Sequence, residues 1–194
     1  MPKLSHADLM TLEAYTKARP VLRTEIIAHK KNRSIPLGEH VTLIFEDELT
    51  IRYQIQEMLR VERIFEEAGI QDELDAYNPL IPDGNNWKAT MLIEYTDVAQ
   101  RQIMLARLKG IEDKIWVQTP GQSKIFAIAD EDMERANEEK TSAVHFIRFE
   151  LDSASVNAIK SGSAISMGID HPDYRVQIPA LAEVNRSALA KDLA

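Results

Sequence analysis

The chain has 194 residues, of which 44% are hydrophobic, and a formal net charge of −8 at pH 7, values typical of a globular protein with one substantial core. It has no cysteine, which excludes disulfides, thiolate metal ligands and a cysteine nucleophile. No segment reaches the ~20 apolar residues of a membrane span, no signal peptide is recognisable, and the acidic charge disfavours nucleic-acid binding. We therefore expect a cytoplasmic protein with neither a nucleic-acid nor a membrane partner.

The first 34 residues form a basic segment that is predicted to be helical. They contain seven Lys or Arg residues and three Asp or Glu residues. Ser5 and Asp8 have the spacing of a capping pair, which predicts a helix from about residue 6. Pro20 is expected to break this helix and to begin a second one, which has Val21 on its inner face and ends near Asn32. The basic face of the segment is either solvated or docks on an acidic surface.

A strand predicted at 41–46 leads into a helix with a carboxylate on its apolar face. The helix is predicted for 50–67, with Ala68 and Gly69 closing it, and a short helix follows from about 71 to 77. Its apolar residues recur at helical spacing; they are Ile51, Ile55, Met58, Leu59 and Phe65. Glu62 lies roughly 20° from the middle of that face. A carboxylate directed into a core must be paired, protonated or part of a site.

The second half of the chain is predicted to consist mainly of strands joined by short helices. The strands are predicted at 88–96, 114–118, 124–129, 143–151, 164–169 and 174–178, and the helices at 97–108, at 130–139, from about 152 and after Pro179. Short links between strands indicate antiparallel pairing. We predict an α+β fold, a mostly antiparallel sheet covered by helices. The chain is expected to be a single domain over 1–194, with a basic helical segment at 1–34 and an α+β core at 41–194.

Polar side chains share the 50–67 helix with the apolar ones and suggest a connected network. Gln56 and Arg60 lie four residues apart, Gln54 lies at the margin of the apolar face, and Glu57 lies between other apolar positions. Buried amide and guanidinium groups require hydrogen-bond partners. We therefore expect this helix to carry a connected polar network.

Two interpretations of that network remain open. In the structural one, Glu62 pairs with an arginine of another element, such as Arg23 or Arg148, and the network is a scaffold. In the functional one, Glu62 or Glu57 acts as an acid, a base or a metal ligand in a cleft, with a pKa raised by desolvation.

The histidines and serines match no established catalytic or metal motif. There is no H-x-x-H, no H-E-x-x-H and no G-x-S-x-G in the chain, and we expect neither a metal nor a cofactor. Strand alternation places His145 on the same face as Ile147 and Phe149. A lone histidine on such a face is expected to be a hydrogen-bonded core residue.

Several segments, taken together and in order, resemble one bacterial family, the domain-of-unknown-function family 3501. The segments are AHKKNRSIPLGEHVTLIFED, QIQEMLRVERI, ELDAYNPLIP, ATMLIEYTD, AVHFIRFEL and IDHPDYRVQIP. The family has no established activity, but its genes commonly lie beside those for rubrerythrin and an iron–sulfur oxidoreductase. The resemblance therefore implies a role near electron transfer or peroxide handling. The positions that match its motifs, and that we expect to form the pocket or interface, are Gln54, Gln56, Glu57, Arg60, Glu62, Tyr77, Asn78, Glu94, Arg148 and His171.

Two functional hypotheses follow from these features. The first is a non-enzymatic accessory protein that binds a rubrerythrin-like or iron–sulfur protein. The alternative is a small-molecule or metal-dependent enzyme that uses Glu62, Glu57 and a histidine for proton transfer. A second apolar face on the 50–67 helix, which includes Tyr53 and Val61, also leads us to expect a homodimer.

Overall fold

The computed structural model describes residues 3–129 and 140–194, so the helix expected at 130–139 lies outside the described residues. Six α-helices and nine strands are present in these two ranges, and the predicted α+β class is confirmed. The helices are α1 (Leu12–Lys31), α2 (Glu48–Glu62), α3 (Glu67–Tyr77), α4 (Val98–Arg107), α5 (Ser153–Lys160) and α6 (Glu183–Ala190). The strands are β1 (Ser34–Pro36), β2 (Val41–Phe45), β3 (Asn86–Ile93), β4 (Ile115–Gln118), β5 (Ile125–Phe126), β6 (Ile128–Ala129), β7 (Val144–Glu150), β8 (Ser166–His171) and β9 (Tyr174–Ile178).

The strands form two sheets in which neighbouring strands are antiparallel. The first has the order β1-β2-β3-β7-β6 and the second β5-β4-β8-β9. The strand predicted at 124–129 is divided between them at the buried Ala127, whose N–H donates to the carbonyl of Ile115 at 2.8 Å. His145 is buried on β7 together with Ile147 and Phe149, as alternation predicted.

The buried apolar side chains form two separate clusters. The larger one includes Phe45, Trp87 and Phe149 and takes residues from both sheets. The smaller one combines residues of the N-terminus, α2, α3 and the turn after α3; its buried members are Leu4, Ile51, Ile55, Leu59, Ile70, Leu74 and Ile81. The apolar face of α2 therefore packs in a small helical core, which we call the second core.

The predicted break at Pro20 is wrong, because α1 runs without interruption from Leu12 to Lys31. Pro20 and Thr16, whose carbonyl loses an amide partner to the proline, are both exposed, so water can satisfy that carbonyl. Val21, expected to face inward, is exposed. Ahead of α1 the chain forms only a short 3₁₀ turn at His6–Asp8 rather than an α-helix.

The predicted course of the chain after residue 62 is also wrong, because α2 ends at Glu62. Arg63 adopts the left-handed conformation with φ 57°, which reverses the chain. Glu62 is consequently exposed, and Phe65 is exposed for 74% of its surface. Gly69 lies inside α3 instead of closing α2. A Cβ there would lie 2.7 Å from the Ile64 side chain, so this glycine lets α3 approach the α2–α3 turn closely.

Candidate functional site

The carboxylate of Glu57 is the centre of a charged cluster between α1 and α2. Its Oε1 accepts hydrogen bonds from the Tyr15 hydroxyl at 2.7 Å and from Nε of Arg19 at 2.7 Å, while Oε2 accepts from Nη2 of Arg19 at 2.8 Å. Arg60 donates from Nε at 3.2 Å and from Nη2 at 3.4 Å. Five donors therefore converge on one carboxylate, and Arg19 binds it in the bidentate manner typical of guanidinium groups.

These contacts determine the protonation state of the cluster. The hydrogen bonds from Arg19, followed by those from Tyr15 and Arg60, outweigh burial and lower the pKa of Glu57 to about 2. Burial and the neighbouring Glu57 raise the pKa of Tyr15. Glu57 is therefore ionised and Tyr15 protonated throughout the physiological range.

The elements that form the cluster are amphipathic helices with side chains at one-turn spacing. Tyr15 and Arg19 lie four residues apart on α1, Glu57 and Arg60 three residues apart on α2, and Tyr53 packs edge-on against Tyr15 with ring centroids 6.4 Å apart. Our sequence analysis did not single out Tyr15 and Arg19. Their spacing on one face of a basic helix is the signal that could have found them.

A pocket of about 170 Å³ opens beside this cluster, between α1, α2 and the residues before α1. Its walls include Leu22, Tyr53 and Gln56, with Asp8 and Arg52 contributing charge. Ligand sites for metabolites and drugs usually have about 300–1,000 Å³. The pocket therefore suits a ligand of only a few atoms or a single side chain.

Two of the expected site residues, Gln56 and Asn78, hold the segment at the N-terminus of the described chain. We call residues 3–11 the N-terminal strap. The Gln56 amide accepts from the Met10 N–H at 2.6 Å and donates to its carbonyl at 3.3 Å. The Asn78 amide accepts from the Leu4 N–H at 2.8 Å and donates to its carbonyl at 2.9 Å. Both amides are buried. Each one therefore supplies, in place of water, the hydrogen-bond partners of the N–H and C=O groups of one strap residue.

The other expected site residues on α2 and α3 lie around the second core without joining the Glu57 cluster. Gln54 is half-buried on α2, and Tyr77 packs half-buried against the second core. Glu62 is at the exposed end of α2. The expectation that Glu62 points into the core is wrong, because the Arg63 turn ends the helix before its apolar face is continued.

The remaining three expected site residues lie on the sheets and are separate from one another. Glu94, just after β3, is exposed and accepts from the Thr42 hydroxyl at 3.1 Å. Arg148 on β7 pairs with Glu150 at 2.6 Å. His171 is buried at the end of β8, where its Nε2 lies 3.1 Å from the Lys109 carbonyl. The structure thus brings together Glu57 and Arg60, places Gln56 against Met10 of the N-terminal strap, and keeps the other three apart.

A second buried charged cluster, absent from our sequence analysis, joins the end of α1 to the C-terminus. Arg33 donates to the carbonyls of Phe45 at 2.9 Å and Glu46 at 3.0 Å, and it also pairs with the carboxylates of Asp47 and Asp192. Burial raises the pKa of Asp192 to about 6, although the charge of Arg33 opposes the shift.

The same cluster includes His29, whose Nε2 lies 2.6 Å from the Asp47 carboxylate. Across the two described ranges, no group of three or more His, Asp or Glu side chains is arranged to hold a metal ion. Nor does any helix in those ranges have the length and apolar composition needed to cross a membrane.

Comparison with known proteins finds a matching family and a similar solved structure for the chain. Residues 3–193 match the family described as "Protein of unknown function (DUF3501)". A crystal structure of a novel protein of unknown function from Burkholderia pseudomallei K96243 is 51% identical, covers 100% of both chains and superimposes with a TM-score of 0.95. No curated protein shows significant similarity to the chain.

Proposed function

We propose that this chain, which belongs to the DUF3501 family, is a non-enzymatic accessory protein that binds a rubrerythrin-like or iron–sulfur protein. The general part of the proposal, partner binding without catalysis, rests on the contacts and exposure of the described residues. The identity of the partner comes from the gene neighbourhood that the family likeness implies. The two parts are tested by different measurements.

The observation that carries the proposal is that hydrogen-bond donors surround both oxygens of the Glu57 carboxylate. A general base must exchange a proton near the working pH and must have a free lone pair directed at substrate. Glu57 accepts five hydrogen bonds, and its pKa is held at about 2. It therefore does not meet either requirement of a general base, and its hydrogen bonds join α1 to α2. Glu62, the other carboxylate of the enzymatic alternative, lies exposed at the end of α2. The geometry therefore favours the accessory protein over an acid/base enzyme.

Exposed apolar side chains at the end of α2 support partner binding. Val61 and Phe65, on either side of the Arg63 turn, are exposed for 62% and 74% of their surface. Aromatic residues, phenylalanine included, are enriched in the cores of protein interfaces relative to the rest of the surface, and Phe65 is the most exposed of the large hydrophobic side chains in the described residues. We assign this surface, Val61 together with Phe65, as part of the interface.

Direct binding measurements test the proposal. The purified wild-type protein is titrated by isothermal calorimetry with the rubrerythrin-like protein and with the iron–sulfur protein of the native host. We expect micromolar binding to one of them, and an approximately tenfold or greater loss in Phe65→Ser, the size expected for an interface aromatic. Val98→Ser is the matched control, because Val98 is a similarly exposed apolar residue on α4.

Three results would count against the proposal in different ways. Absence of binding to either protein would contradict the identity of the partner. Binding that Phe65→Ser and Val98→Ser weaken equally would contradict the assigned surface. If the wild-type protein converts a small-molecule substrate and Glu57→Gln does not, the enzymatic alternative would be restored.

A further inference from the structure

We infer that β9 is a self-association surface, along which the β9 strands of two copies of this chain pair antiparallel and join their four-stranded sheets into one. The inference goes beyond the proposed function, because it concerns a second copy of this chain and not a different partner. The homodimer expected from the sequence was to form at the 50–67 helix. The inference assigns it to β9 instead, and Val61 and Phe65 remain assigned to the partner.

The first argument is that β9 is the one long unpaired edge among the described strands. It covers Tyr174–Ile178 and pairs with β8 on one side. The other edge strands, β1, β5 and β6, have only two or three residues each, and β1 includes Pro36. Shortness, proline and charges directed inward are the usual protections of a sheet edge against pairing with another chain. β9 has five residues, with neither a proline nor a charge on its core side, so its edge is open to a further strand.

The second argument is that the β8–β9 hairpin determines which backbone groups of β9 remain free. Its turn has two residues, 172–173, and the flanking His171 and Tyr174 are partners in the register. In a two-residue hairpin the flanking residues form a hydrogen-bonded pair, and bonded and non-bonded pairs alternate from there. Val176 therefore bonds to β8, and its carbonyl oxygen does lie on that side, 2.5 Å from the position of a Cβ on Gly168.

The alternation leaves Arg175 and Gln177 with their N–H and C=O groups directed at the open edge. No other described segment forms a hydrogen bond to these groups. A two-fold axis at Val176 lets both residues pair, because Arg175 of one copy then lies opposite Gln177 of the second copy. Two such pairs form, and each exchanges two N–H···O bonds. An axis at Arg175 would instead oppose two arginines and use only one pair, so the main chain favours the axis at Val176.

The third argument is that the side chains of β9 match across this same axis. Tyr174, Val176 and Ile178 share a face that packs on the larger core but stays half-buried. Met167 and Ile169 on the neighbouring β8 are fully buried. Across the axis Val176 meets its own copy, and Tyr174 lies opposite Ile178 of the second copy. A second β9 would therefore cover this apolar face without opposing like charges.

The beginning of β9 is held in place by contacts on its core side. The Tyr174 hydroxyl donates to the Leu37 carbonyl at 2.8 Å and accepts from the His40 N–H at 3.1 Å. A Cβ on Gly38 would lie 2.6 Å from that hydroxyl oxygen, so the turn before β2 packs closely on Tyr174. The edge is therefore ordered before it pairs, which lowers the entropic cost of association.

Sedimentation velocity of the intact protein over a concentration series tests the inference. Each copy contributes one strand edge, so the interface is small, and we expect a reversible dimer with a dissociation constant of about 1–100 μM. A wild-type protein that remains monomeric well above that range overturns the inference.

Gln177→Pro removes an N–H group that points to solvent in the monomer and to the second copy in the dimer. Proline is tolerated on a strand edge whose N–H faces solvent, so the monomer should fold. We expect the dissociation constant to rise about tenfold or more. Gln177→Thr is the matched control, because it changes the same side chain, keeps the N–H and suits a strand. It should stay within about threefold of the wild type, and an equal loss in both variants would refute main-chain pairing.

Charges at position 177 test the register. Gln177→Glu places a carboxylate opposite Arg175 of the second copy, and Gln177→Lys places an ammonium group there. Because two symmetric pairs form, we expect the first variant to tighten the dimer and the second to weaken it, each by about twofold to thirtyfold. The difference should shrink at high salt. Equal dissociation constants in the two variants would overturn pairing about Val176.

Hydrogen exchange provides a measurement that needs no variant. The Arg175 and Gln177 amides should exchange more slowly as the protein concentration rises, because the dimer protects them. The Val176 amide, already bonded to β8, should respond little. Rates that do not depend on concentration would contradict the inference.

Phe65→Ser separates this proposal from the proposed function. A dimer that Phe65→Ser weakens and Gln177→Pro leaves unchanged would show that the second copy docks on α2, which would overturn pairing at β9. A protein that is monomeric in every experiment would leave partner binding at Phe65 untouched, because the calorimetric titrations contain a different protein. Failure of those titrations would in turn leave the β9 dimer standing.

Discussion

Asp192→Asn is expected to reduce the pH dependence of stability below neutrality. Asp192 is 4% exposed and shares the Arg33 guanidinium with Asp47. Burial raises the pKa of Asp192 from 3.8 to about 6. The folded protein therefore retains a proton on this carboxyl that the unfolded chain releases. Asparagine resembles the protonated acid in shape and hydrogen bonding but does not titrate.

The size of the effect follows from the two pKa values. A rise from 3.8 to about 6 corresponds to about 3 kcal/mol at 1.36 kcal/mol per pKa unit. Because the pKa is higher in the folded state, this stabilisation is fully present below pH 3.8 and is lost as the pH rises through about 6. The contribution of Asp192 to the free energy of unfolding of the wild type should therefore fall by roughly 2 kcal/mol between about pH 4 and pH 7.

Urea unfolding at a series of pH values between about 4 and 7.5 measures this slope. Tryptophan fluorescence is a suitable signal, because Trp87 is fully buried and its Nε1 donates to the Leu189 carbonyl of α6 at 3.0 Å. Asp173→Asn is the control, since Asp173 forms an exposed pair with Arg107. An Asp192→Asn protein that keeps the wild-type slope, or that is much less stable at pH 7, would refute the reasoning.

Three further changes test other parts of the structure by urea unfolding. Glu57→Gln leaves Arg19 without its carboxylate and should cost about 2 kcal/mol near pH 7; because the pKa of Glu57 is lowered, this contribution is present above pH 4.5 and disappears as the pH falls towards about 2. Gly168→Ala places a Cβ 2.5 Å from Cζ2 of Trp116 and should cost about 1–3 kcal/mol. Asp97→Ala removes the N-cap of α4 and should cost about 1 kcal/mol. If the free energy of unfolding of one of these variants equals that of the wild type, the energetic effect assigned to its contact is wrong.

Local sequence patterns were sufficient for most elements of the fold. Alternation located β2, β7 and β9, and helical spacing located α4 within the predicted range 97–108. The helix predicted from about residue 152 is α5, and the Asp152 carboxylate caps it by accepting from the Ser155 N–H at 2.7 Å. Such signals succeed because pleating, helical periodicity and capping involve residues within a few positions of one another.

The same reasoning failed at two places in the helical part. A proline usually ends a helix, but Pro20 lies on the exposed side of α1 and does not end it. The apolar pattern continued past Glu62, although Arg63 turns the chain. At Pro20 the local pattern did not state which face of the helix would be exposed, and at Arg63 it did not state that a non-glycine residue would adopt the left-handed conformation and end the helix.

The sequence by itself determined the α+β class, the order of most helices and strands, and the polar character of Gln56, Glu57 and Arg60. Only the tertiary structure decided what these residues contact: Arg19, 38 positions from Glu57, and Met10, 46 positions from Gln56. The physical reason is that a carboxylate or an amide in a sequence indicates that hydrogen-bond partners are needed, but it does not indicate which residues they are. That identity depends on how α1 and the N-terminal strap pack against α2.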